Sequence, residues 1–184
     1  LFFSYIYLFH GKGGRPTGSV LQLEELLRRR FQQSQFIRPA LLHGDPEVTA
    51  QQSLAALREM EIPRGAAIVG ISLGGLVAAK LQEMGREDLH VICVSSPTWA
   101  DEVRLTQRVA RRVALYSSTD NVIEGRTASW PQLAQAYDLP WLTHDTDVHK
   151  LPLSHIIASY LDNDDVLLDI VETEKAMRRE GVLS

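Results

Sequence analysis

Gly70-Ile71-Ser72-Leu73-Gly74-Gly75 follows the apolar run Ala66-Ala67-Ile68-Val69 and precedes the helix-like run Leu76-Val77-Ala78-Ala79-Lys80-Leu81. Ser72 therefore falls on a turn between a buried strand and a helix, the G-x-S-x-G pattern of a nucleophile elbow. So sharp a turn forces the serine into an unusual backbone conformation. Side chains two residues to either side would collide with the neighbouring strand and helix, which gives glycine at 70 and 74 a steric reason. The helix that begins after Ser72 points its first amides at the same place, where they favour negative charge on a bound oxygen.

Outward from this stretch, apolar runs alternate with helical patterns. Leu1–Phe9 reads as a buried strand entering the loop His10-Gly11-Lys12-Gly13-Gly14. Val20, Leu23, Leu26, Leu27 and Phe31 recur at helical spacing, and Phe36–Leu42 reads as a strand ending at His43-Gly44-Asp45. Thr49–Met60 is helical and stops before Pro63. His90–Val94 is an apolar strand ending at Ser95-Ser96, Asp101–Ala110 is weakly helical, and Arg112–Tyr116 is a strand ending at Asp120. Ser129–Tyr137 reads as a helix with Pro131 in its first turn, Leu139–Thr143 as the last strand, and Ile156 onward as helix. This order predicts a three-layer α/β fold: an open, mostly parallel sheet of about six strands with helices on both faces. Each polar cluster then lies at the carboxyl end of a strand, where such sheets gather ligands.

The 184 residues carry 45% hydrophobic and 23% charged residues and a formal net charge of −4. These values fit a single domain, residues 1–184, able to bury a core, and they lack the basic excess of a nucleic-acid binder. Cys93 is the only cysteine, so no internal disulfide can form, and a reducing, cytoplasmic setting is expected. Leu1–Phe9 is too short to span a bilayer, so no membrane insertion is expected. Expected partners are therefore small molecules.

Gly70-Ile71-Ser72-Leu73-Gly74, the glycine loop after the first strand, and the order Ser72, Asp120, His155 together resemble the α/β-hydrolases, over nearly the whole chain. The resemblance implies a minimal member without a cap domain, since only helix, strand, helix and strand fit between Ser72 and Asp120. It also implies accessible, fairly small substrates. The first two strands of eight-stranded members have no counterpart here.

A serine hydroxyl needs a base to take its proton and a carboxylate to orient that base. Asp120 follows an apolar strand, whereas Asp138 precedes one and so stands at the wrong end. Three histidines, His144, His149 and His155, crowd the region after the last expected strand. His155 leads into the last helix and resembles the family's catalytic-histidine loop. His144, within or just past the last strand, reads as a structural histidine, and His149 is the rival. The oxyanion donors expected are the amide of Leu73 and that of Gly11 or Lys12. His10 and Trp99 are expected to line the substrate pocket. The run His144-Asp145-Thr146-Asp147-Val148-His149 lacks the spacing of a metal site, and the glycine loop does not complete a phosphate-binding motif, so no metal or cofactor is expected. The chain thus reads as a serine hydrolase of carboxylic esters or thioesters, with a non-catalytic scaffold of the same fold or an acyltransferase as alternatives.

Overall fold

A computed structural model describes residues 2–184. In chain order the elements are β1 (Tyr5–Phe9), α1 (Ser19–Arg28), β2 (Gln35–Ile37), α2 (Ala50–Arg58), β3 (Ala67–Ile71), α3 (Leu73–Glu83), β4 (His90–Val94), β5 (Trp99–Ala100), β6 (Val103–Arg104), β7 (Arg112–Tyr116), α4 (Trp130–Leu133), β8 (Gln135–Asp138), α5 (Lys150–Leu161) and α6 (Val166–Arg179). Six strands form one sheet in the order β2-β1-β3-β4-β7-β8, and every pairing in it is parallel. β5 and β6 form a separate antiparallel hairpin between β4 and β7.

Alternation along the strands builds the layers, because successive side chains point to opposite faces. Ile6, Leu8, Val69, Ile92, Val94, Val113 and Leu115 pack with residues of α1, α5 and α6 on one face. Tyr7, Phe9, Ile68, Val91, Cys93, Ala114 and Tyr116 pack with residues of α2, α3 and α4 on the other. Central strands are covered on both sides and read as continuous apolar runs, which is why β3, β4 and β7 stand out in the sequence. Each fully buried Leu, Ile or Val contributes about 1.5–3 kcal/mol over exposure. The charged group at the start of β7 is also fully enclosed: Arg112, 0% exposed, pairs with Glu83 at 3.2 Å and donates to Gln82 and to the carbonyls of Ala79, Gln107 and Leu133.

The direction of winding reverses at β1, which pairs with β2 on one side and β3 on the other. The crevice at such a reversal, outside the strands' carboxyl ends, is where open α/β sheets bind ligands. Gly11 follows β1 and Ser72 follows β3, so the two stretches singled out in the sequence flank that crevice.

Four elements differ from the sequence reading. The last strand is Gln135–Asp138, and Leu139–Thr143 forms a turn in which Leu142 N–H donates to the Leu139 carbonyl. Its apolar residues are buried from a loop: Leu139, Trp141 and Leu142 join the core beneath α5 and α6. The helix expected over Ser129–Tyr137 is correspondingly short. Asp101–Ala110 is not helical, because Asp101 forms the tight turn of the β5–β6 hairpin at φ 52°. The strand expected over Phe36–Leu42 runs only Gln35–Ile37, and Leu42–Gly44 forms a 3-10 turn. Among the described residues no helix is long and apolar enough to cross a membrane.

Candidate active site

Ser72 caps the amino end of α3 with φ 51° and ψ −120°, a conformation that costs a non-glycine residue about 1–3 kcal/mol. The surrounding packing holds it there. Ser72 N–H donates to the Val94 carbonyl at 2.8 Å. The glycines flanking it are sterically required: a Cβ on Gly70 would stand 2.4 Å from Gly75 Cα, and one on Gly74 would stand 2.6 Å from the carbonyl oxygens of Phe9 and His10. Strand and helix thus meet backbone to backbone, and the turn presents the Ser72 hydroxyl at the crevice.

Ser72 Oγ lies 3.1 Å from His144 Nε2, and His144 Nδ1 lies 2.8 Å from Asp120 Oδ2. A carboxylate only accepts, so Nδ1 carries the proton and Nε2 is left with a lone pair toward the serine hydroxyl. The Asp120 side chain is 1% exposed and that of His144 25% exposed. Asp120 follows β7, and its second oxygen accepts the Val122 N–H at 3.0 Å, which fixes the carboxylate plane. The loop carrying His144 is tied down where Ser95 Oγ donates to the Thr143 carbonyl at 3.3 Å. Asp138, at the carboxyl end of β8 and not before a strand as the sequence reading had it, accepts the Ser118 N–H at 3.0 Å and steadies the Asp120 loop.

The histidine assignment is corrected by this geometry. His155 lies within α5, exposed, and lines a groove between α5 and α6 together with His149; the structure does not bring it to Ser72. His149 precedes α5 and meets Trp141 edge to face at 5.8 Å. The reason is the position of the last strand. With β8 ending at Asp138, His144 is a loop residue beyond the sheet edge, free to reach back, while His155 is a full helical turn inside α5.

Leu73, first residue of α3, has an amide that no intrahelical carbonyl can reach. Gly11 stands against Ser72, a Cβ on it being 3.2 Å from Ser72 Cβ. Ser72, Leu73, Gly11, Lys12 and His144 line one cavity of about 570 Å³, within the range of small-molecule pockets. Its apolar walls come from Pro46, Val48, Pro97, Ala100, Val122 and Ile123, residues of three separate segments that carry no motif and are not legible in the sequence.

Neither residue expected to line the substrate pocket does so. His10 is 4% exposed; its Nε2 accepts the Leu41 N–H at 2.9 Å and its Nδ1 lies 2.9 Å from the Gly11 carbonyl, a pairing that spends the ring on holding loops together. Trp99 has the guanidinium groups of Arg104 and Arg126 over its ring, at 5.1 and 5.3 Å from the centroid, and is not among the residues lining the cavity. Among the described residues no group of three or more His, Cys, Asp or Glu is arranged to hold a metal ion.

No protein-family model matches the chain, and no curated protein matches it in sequence. Solved structures do match in shape. A His-tagged serine hydrolase involved in carbazole degradation, the CarC enzyme, superposes with a TM-score of 0.67 at 14% identity over 88% of this chain and 92% of that one. The ydeN gene product of B. subtilis gives 0.66 at 17% identity over 86% and 99%. Alpha/beta hydrolase domain-containing protein 10 from mouse gives 0.64 at 12% identity over 86% and 90%. At such identities the likeness is one of fold.

Proposed function

We propose that this chain, which has the α/β-hydrolase fold in a minimal, capless form, is a serine hydrolase that cleaves carboxylic esters or thioesters through an acyl-enzyme on Ser72. The observation that carries the reading is the unbroken hydrogen-bonded series Ser72–His144–Asp120 in a crevice at the carboxyl edge of the sheet.

Ser72 Oγ attacks the acyl carbon while its proton passes to His144 Nε2. The imidazolium so formed is stabilised by the Asp120 carboxylate, which also holds the ring in the productive tautomer. Negative charge on the former carbonyl oxygen is received by the Leu73 amide and by that of Gly11 or Lys12, near the amino end of α3. Collapse of the tetrahedral intermediate expels the alcohol or thiol, protonated by His144. Water then attacks the acyl-enzyme with His144 again as base, releasing the acid and restoring Ser72. The mixed apolar lining suits a small acyl group. The scaffold alternative is motivated by the ambiguity among the three histidines and by the polar loop around them, and His144 at hydrogen-bonding distance from Ser72 supports the enzyme reading instead.

The test is turnover of p-nitrophenyl esters of increasing acyl length by the wild type and by Ser72→Ala. The reading expects hydrolysis by the wild type, favouring short chains, and none above background in the variant. Turnover that survives Ser72→Ala, or its absence from the wild type across esters and thioesters, overturns it.

A further inference from the structure

We propose that His43 is a positioning residue for the oxyanion loop, gripping from both flanks the two residues, Gly11 and Lys12, one of which supplies the second amide donor to the developing charge; this inference rests on the hydrolase reading above. His43 sits in the 3-10 turn after β2 and is 0% exposed. Its ring reaches the His10 carbonyl with Nε2 at 2.8 Å and Ser53 Oγ on α2 with Nδ1 at 2.7 Å. A carbonyl only accepts, so Nε2 carries the proton and Nδ1 accepts from the Ser53 hydroxyl. The backbone of the same residue grips the other side, its carbonyl accepting the Gly13 N–H at 2.9 Å.

Gly11 and Lys12 are what lies between those two tethers. The peptide joining His10 to Gly11 is planar and trans, so its C=O and N–H point in opposite directions, and a bond that fixes the carbonyl fixes the direction of the Gly11 amide. The Gly13 bond fixes the Lys12–Gly13 peptide, and the peptide between the two, which carries the Lys12 amide, is held at its Gly11 carbonyl by the Gly14 N–H at 3.0 Å. Two further ties brace the arrangement. The His10 ring accepts the Leu41 N–H at 2.9 Å, and a Cβ on Gly44 would stand 2.9 Å from the Gly14 carbonyl, so the two loops touch backbone to backbone. A loop with glycine at 11, 13 and 14 has little stiffness of its own and must be held from outside. Burial drives the His43 ring down to about 4, which keeps it neutral and its Nε2 proton in place at neutral pH. The pentapeptide motif and the triad are silent about this residue, because the contact crosses from one strand-end loop to another.

The experiment compares His43→Leu, which removes both ring bonds, with His43→Gln, whose terminal amide can still donate to the His10 carbonyl, and with Ser53→Ala, which frees the ring. Three quantities are read on protein shown folded by circular dichroism: kcat and KM on an ester, the inhibition constant of a boronic acid that forms a tetrahedral adduct on Ser72, and amide hydrogen exchange at Gly11, Lys12 and Leu73. Misplacing one oxyanion donor costs up to about 100-fold. The proposal expects His43→Leu to lose roughly 10- to 100-fold in kcat with KM within about threefold, to bind the boronate more weakly by a similar factor, and to exchange faster at Gly11 and Lys12 while Leu73 is unchanged. His43→Gln should recover most of each loss. An unchanged kcat, a loss confined to KM, or a glutamine variant no better than leucine overturns it. If His43→Leu does not fold, Ser53→Ala decides by the same split. Hydrogen exchange needs no turnover, so a wild type without Ser72-dependent activity refutes the hydrolase reading while exchange still judges the grip of His43.

Discussion

Acid should unfold this protein partly through one residue, His43, and the size of the effect follows from its surroundings. The ring is fully buried, faces the His10 carbonyl, Ser53 and the edge of the His10 ring at 5.1 Å, and is held down to about 4 chiefly by desolvation. In the unfolded chain it takes a proton near 6.5. Between those two values the unfolded state binds more protons than the folded one, so stability falls as pH drops from about 6.5 toward 4 and levels once the folded protein is protonated too. The full difference is on the order of 3 kcal/mol, a large share of an ordinary domain's stability. Urea melts at steps from pH 7 to pH 4 measure it, with His43→Gln as reference because glutamine does not titrate. The stability gap between wild type and variant should narrow by roughly that amount as pH falls. Parallel curves for the two proteins across the window would show that His43 is not buried neutral and would refute the reasoning.

Other perturbations address the elbow and the triad. Asp120→Asn removes the acceptor that sets the His144 tautomer and should lower kcat by roughly 10³–10⁴ at neutral pH; steady-state kinetics on an ester check this, and a loss under about tenfold would deny Asp120 its role. Gly70→Ala forces a Cβ to within 2.4 Å of Gly75 Cα and should cost about 3 kcal/mol by thermal melting. Gly65→Ala, with open space but φ +76°, should cost only about 1 kcal/mol from backbone strain; equal losses from the two would remove the steric explanation of the elbow.

How far the sequence discloses this site depends on the kind of constraint at each residue. Gly70 and Gly74 announce the turn because backbone meets backbone there, and no other residue type fits. Asp120 is legible because β7 is covered on both faces and its apolar run ends sharply. The last strand hides for the opposite reason: Gln135–Asp138 is an edge strand, partly exposed, so polar residues suffice, while the loop behind it is apolar because Leu139, Trp141 and Leu142 plug the core. That inversion moves the strand end and, with it, the histidine. His155 has the more suggestive local sequence, but α5 begins at Lys150 and carries it away from the crevice. His144 could have been found by asking which histidine first follows the true end of β8, had that end been visible. The cavity walls and the grip of His43 on the His10 carbonyl leave no local signal, since each is a meeting of segments distant in the chain.

The most direct test of the account is the rate at which a fluorophosphonate probe labels folded wild type, His144→Ala and His155→Ala, with the modified residue identified by peptide mass spectrometry. Labelling should fall on Ser72, slow by roughly a thousandfold or more in His144→Ala as a general base is lost, and proceed at the wild-type rate in His155→Ala. Rapid labelling in His144→Ala, loss of labelling in His155→Ala, or modification at a residue other than Ser72 would contradict it.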